Sequence, residues 1–177
     1  GETVQYTDPL YTGILPSDIA NHPQTVSVDN PFICEFENVQ LIGPTALSIT
    51  ADGEFVAENA LGWHTRLEMG AARSLAAGNL PLRRPTTNSY EFAISLVGPW
   101  CRNYYHWIID YLTRLRYVKQ HYGTVSEELP TLILPNNPPE WMTDGVRLAG
   151  FTDSEWTVWN NQRATVDRLV VPSLPRS

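Results

Sequence analysis

The sequence predicts an α/β fold, a parallel sheet with a small antiparallel β element ahead of it. Strand-like and helix-like patterns alternate from residue 92 onward, the signature of βαβ units. Short runs of β-branched and aromatic residues, separated by turn dipeptides, precede them from residue 32. The chain has 177 residues, 42% hydrophobic and 18% charged. That suits one packed domain and excludes disordered, collagenous and coiled-coil chains.

Residues 1–31 carry Pro9, Pro16, Pro23 and Pro31 among polar residues and are expected as an extended, Pro-rich arm. A single domain is expected over 32–177. Its first part holds apolar runs at 32–36, 39–42, 47–50 and 55–57, punctuated by Gly43-Pro44 and by Asp52-Gly53, a hairpin signal. Residues 65–77, rich in Leu, Met, Ala, Arg and Glu and stopped by Gly78-Asn79, read as a helix, and 80–87 as a loop. Then come a strand at 92–97, a helix at 103–121, a strand at 131–134, a helix at 140–149 and a strand at 166–171. The Pro-rich stretch at 134–139 is a strand-to-helix loop. The run from Val171 into Pro172-Ser173-Leu174-Pro175 is expected to approach a further domain.

Uncharged stretches such as 92–101 fall short of the roughly 20 apolar residues that span a bilayer. The net charge of −7, with Lys119 as the only lysine and no basic run, argues against a nucleic-acid partner. Cys34 and Cys101 lack metal-site spacing and are expected as two reduced, buried thiols. His22, His64 and His121 read as surface or cap residues, and Trp141, Trp156 and Trp159 as packing residues.

The chemistry concentrates in residues 100–115. At about 100° per residue, Tyr105, Ile108, Ile109, Leu112 and Leu115 share an arc of about 120°, which is expected to face the core. Asn103, His106, Asp110 and Arg114 share the opposite side. His106 and Asp110, four residues apart, can touch across one turn. Asn103 stands where a side chain caps a helix start. Such a start, just past the carboxyl end of a parallel strand, is where open α/β proteins place ligands. Trp100, Tyr104, Trp107 and Tyr111 flank the stripe as aromatic walls of the kind on which sugar rings pack.

The pattern Asn103-x-x-His106-x-x-x-Asp110 followed by Leu112-x-Arg114-Leu115 resembles the signature of glycosyltransferase family 61, in the Tyr-Tyr-His-Trp form of its microbial branch. The likeness extends through 132–135, 147–151 and 166–172, with Thr113 standing where microbial members often carry proline. It implies a GT-B architecture of two Rossmann-like domains, of which this chain supplies the N-terminal, acceptor-side one. The nucleotide-sugar domain is expected to lie outside this chain. The implied activity is inverting transfer of a sugar from a nucleotide-sugar donor to a hydroxyl of a glycan or glycoconjugate acceptor. The implied setting is cytoplasmic, with peripheral membrane association.

Inverting transfer needs a base for the acceptor hydroxyl and a group that stabilises the departing diphosphate. Asp110 and His106 are the catalytic candidates, with Asp110 expected as base, since a carboxylate is ionised at neutral pH without help, and His106 as the positioning group. Asn103, Arg114, Tyr104 and Trp107 are the substrate-binding candidates; Arg114 either faces the cleft or pairs with Asp110. No Asp-x-Asp occurs, so neither metal nor cofactor is expected. The alternative is a non-catalytic glycan- or protein-binding module on the same fold. A serine hydrolase would want a Gly-x-Ser-x-Gly elbow, which the sequence lacks.

Overall fold

The computed structural model describes residues 2–5, 25–28, 32–56, 59, 88–125, 128–160 and 162–173. The helix expected at 65–77, the loop at 80–87, His22, His64 and most of the arm lie outside the described residues. Two short strands of the arm, β1 (Glu2–Gln5) and β2 (Thr25–Val28), pair antiparallel.

The main sheet has six strands: β3 (Ile33–Ile42), β4 (Leu47–Ile49), β5 (Asn88–Ser95), β6 (Thr131–Leu134), β7 (Trp156–Val158) and β8 (Arg163–Pro172), in the order β4-β3-β8-β5-β6-β7. β8, β5, β6 and β7 run parallel, while β3 is antiparallel to both β8 and β4. The fold is therefore α/β with a mixed sheet, consistent with a Rossmann-like arrangement.

The antiparallel element expected ahead of the parallel strands is present as the β3–β4 pair, and it is continuous with them in one sheet. β3 pairs with β8 along its whole length, from Ile33↔Pro172 to Ile42↔Arg163, and so joins the parallel strands edge to edge. The runs at 32–36 and 39–42 are one strand. Asn38 between them adopts φ 55°, a left-handed conformation that asparagine tolerates, and the same register holds on either side, Glu37↔Arg168 and Val39↔Val166. The Asp52-Gly53 turn forms as expected: Gly53 has φ 82° and its N–H donates to Thr50 O at 2.9 Å. Of the strand expected at 55–57, Phe55 forms one bridge, Ile49↔Phe55, and residue 57 lies outside the described residues.

The apolar runs of β5, β6 and β8 are buried on both faces, as central parallel strands require. The two-residue period sorts their side chains between two cores. Phe92, Ile94, Leu132, Leu134 and Val170 face the helices, while Ala93, Ile133, Ala164, Val166, Leu169 and Val171 face Val39, Leu41, Val56 and Trp159. Trp159, fully buried, also donates from Nε1 to Gly43 O at 2.8 Å.

Among the described residues, two helices cover the first core. α1 follows β5 and comprises an α-helical turn Tyr104–His106, a π-helical segment Trp107–Leu112 and an α-helical stretch Thr113–Val125. α2 (Glu140–Leu148) follows β6. Gly145 lets them close: a Cβ there would lie 2.7 Å from Leu112 Cδ1 and 3.3 Å from Trp107 Nε1. No helix among the described residues is long and apolar enough to cross a membrane.

The expected core face of α1 holds only in part: Leu115 is buried, and Ile108 and Leu112 pack against the core without being covered. Its buried residues are Trp107, Asp110, Tyr111, Arg114, Leu115, Val118 and Tyr122, whereas Tyr105 and Ile109 are exposed and Ile108 and Leu112 only half-buried. The aromatic rings bury more apolar area than the aliphatic side chains and take the sheet-facing side. That rotation also carries the lower half of the polar stripe inward. Cys34 is likewise exposed, on β3, and only Cys101 is buried.

One tie between layers titrates. The Tyr122 hydroxyl on α1 donates to Glu35 Oε1 at 2.6 Å, and Arg168 on β8 bridges Glu35 Oε2 at 3.1 Å. The Tyr122 hydrogen bond, followed by the Arg168 guanidinium, holds the Glu35 carboxyl below the ordinary 4.5. A lowered folded-state value means stability that is present above the ordinary value and lost as pH falls through the folded one. Glu35→Gln should therefore lower Tm at neutral pH, and the gap to wild type should close in acid. A gap independent of pH would contradict this role.

Candidate functional site

α1 begins nine residues past the end of β5, after the turn Gly98-Pro99-Trp100-Cys101, closed by Cys101 N–H on Gly98 O at 3.3 Å. Asn103 caps it as expected. With extended backbone (φ −84°, ψ 126°), its Oδ1 accepts from the N–H groups of Tyr105 at 3.0 Å and His106 at 3.3 Å.

His106 and Asp110 meet: imidazole Nδ1 lies 2.7 Å from Asp110 Oδ2. The pair spans the start of the π segment, a geometry often found at functional sites. The two partners differ in access, since the side chain of His106 is 27% exposed and that of Asp110 only 3%. Asp110, expected as the base, thus points into the protein, and only the imidazole meets solvent. A carboxylate on Nδ1 holds the ring proton there and leaves Nε2 as the acceptor. The Trp100 ring stacks on the imidazole, centroids 5.9 Å apart at 29°, and Tyr105 packs edge-on at 5.5 Å, so carboxylate and rings together fix its orientation.

The other candidates divide. Tyr104 is 64% exposed and sits edge-on to Trp141 at 5.3 Å. Trp107, expected as a substrate wall, is fully buried in the helix-facing core, with its ring against Tyr111. Arg114 is 1% exposed; it donates from Nη1 to Asn59 Oδ1 at 3.2 Å and lies over the Tyr111 ring. It is an interior residue. Asn59, which also donates to Ser48 Oγ at 3.1 Å, ties it to β4. Thr113 donates its hydroxyl to Ile109 O at 2.6 Å where the π segment gives way to α helix.

Trp100 stands out in its backbone. It has φ 64°, strained for a bulky side chain by a cost of about 1–3 kcal/mol, yet its indole is 53% exposed. The ring is expected from sequence as a wall, but its backbone conformation is not; the preceding Gly-Pro dipeptide is the local turn signal. Trp100 also lines a cavity of about 360 Å³ formed by residues 97–102, the β3–β4 turn at Pro44 and Thr45, and Pro135 and Asn136 after β6. Burial pushes the Cys101 thiol up, which makes it a poor nucleophile. Among the described residues no three His, Cys, Asp or Glu side chains group to hold a metal.

Gly98 sets the floor of the turn. A Cβ there would lie 2.6 Å from the Tyr111 hydroxyl, which donates to Pro99 O. Gly98→Ala should cost about 1–3 kcal/mol in urea unfolding, and adding Tyr111→Phe should recover part of it. Additive losses would contradict this contact.

Compared with known proteins, the chain matches no family model, no curated protein and no solved structure.

Proposed function

We propose that this chain is the acceptor-side half of an inverting, GT-B-type glycosyltransferase similar to family 61. It would transfer a sugar from a nucleotide-sugar donor to an acceptor hydroxyl. The observation that carries this is the His106–Asp110 contact at 2.7 Å, with only the imidazole reaching solvent. It lies at a helix start past the carboxyl end of a parallel strand, beside a cavity with an aromatic wall.

In this reading the base is His106 rather than Asp110. Nε2 takes the proton of the acceptor hydroxyl as its oxygen attacks the anomeric carbon, and the carbon–oxygen bond to the nucleoside diphosphate breaks on the opposite face. Asp110 fixes the tautomer and stabilises the imidazolium that forms, the division of labour of other His–carboxylate pairs. Asn103 positions both by capping the helix.

The test is release of nucleoside diphosphate by the full-length protein, given a panel of nucleotide sugars and neutral glycan acceptors. Transfer that depends on His106 supports the proposal. Turnover unchanged in His106→Ala contradicts it, and glycan binding with no turnover for any donor favours a non-catalytic glycan-binding module.

A further inference from the structure

Resting on that sugar-transfer reading, we propose that the cavity beside Trp100 is a subsite for a neutral sugar ring of the acceptor, with the Trp100 indole as its stacking wall. About 360 Å³ lies at the small end of the range for small-molecule pockets, which suits a small sugar rather than a polymer chain.

The lining matches a neutral ring. Pro44, Pro99 and Pro135 give it rigid apolar sides, and neither a carboxylate nor a lysine stands among the described residues that line it. Arg102, the one charged side chain among them, is turned to backbone carbonyls, donating to Asn136 O and, at 3.5 Å, to Asn137 O. An anion would find its only cation already engaged. A pyranose instead offers C–H faces to the indole, and its hydroxyls meet the Asn136 amide on the cavity wall.

Backbone preference does not account for the indole. At φ 64° glycine would sit without strain, and at 53% exposure the ring is not there to fill the core. What the strained conformation achieves is placement: one ring lines the cavity and stacks on the imidazole that would receive the acceptor's proton. Strain kept at such a position is the mark of a functional constraint.

The experiment is NMR titration of the protein with methyl glycosides of glucose, galactose, mannose and xylose, with inorganic pyrophosphate as a competing probe. At least one glycoside should bind. Trp100→Gly should weaken it about tenfold while Tm holds or rises, because glycine relieves the strained backbone. Trp100→Phe should keep most of the binding. The proposal is overturned if no glycoside binds, if Trp100→Gly binds as wild type does, or if pyrophosphate displaces the sugar. His106→Ala separates the two readings: it should keep glycoside binding while losing transfer. Were it to transfer normally with Trp100-dependent binding intact, the catalytic assignment would fail and the sugar site would stand.

Discussion

Alanine at His106 is expected to reduce transfer by about 10²–10⁴-fold, the usual contribution of a positioned acid–base group. The loss should fall on kcat with KM little changed, since the group acts on a proton that moves only in the transition state. Asp110→Asn should cost a comparable factor although the imidazole remains. An amide can donate to Nδ1, which moves the ring proton to Nε2 and blocks the acceptor site. Because Asp110 is buried, Tm of the Asn variant must be followed alongside kcat. A fall in activity with Tm unchanged marks the tautomer effect, whereas activity equal to wild type would remove Asp110 from the mechanism.

Trp107→Ala is expected to destabilise the fold by about 3–5 kcal/mol, read as a lower urea midpoint with little change in slope. The indole is fully buried, stacks on Tyr111 at 5.9 Å, meets Trp141 edge-on at 6.4 Å and lies over Gly145 of α2. Its removal leaves a cavity at the point where both helices meet the sheet. Tyr104→Ala, three residues earlier and 64% exposed, is the control and should stay within about 0.5 kcal/mol. Equal effects at the two positions would mean that the assigned core face is wrong.

What the sequence announced follows from how local each signal is. The Asn103 cap, the His106–Asp110 contact, the Asp52-Gly53 turn and α2 each rest on residues within one or two turns of chain, and all four are present. β5, β6 and β8 were legible because central parallel strands are continuous apolar runs. The union of β3 with β8 was not, because it pairs Ile33 with Pro172 and nothing in either segment names its partner. β7, at three residues, is too short for a two-residue period to register.

The face of α1 was misjudged for a chemical reason. Trp107 and Tyr111 are at once amphipathic enough to line a sugar site and large enough to anchor a core, and the pattern of the helix does not separate the two. The burial of these two rings then draws Asp110 and Arg114 inward. That leaves Asn103 and His106 as the part of the stripe that faces solvent.

In the proposed mechanism Asp110 holds the His106 ring proton on Nδ1 and leaves Nε2 to accept. Nitrogen-15 NMR of the imidazole in mildly alkaline buffer, on wild type and Asp110→Asn, tests it most directly. The account predicts a protonated Nδ1 and an unprotonated Nε2 in wild type, with the proton transferred to Nε2 in the variant. A wild-type ring protonated at Nε2, or a ring that does not respond to the substitution, would contradict it.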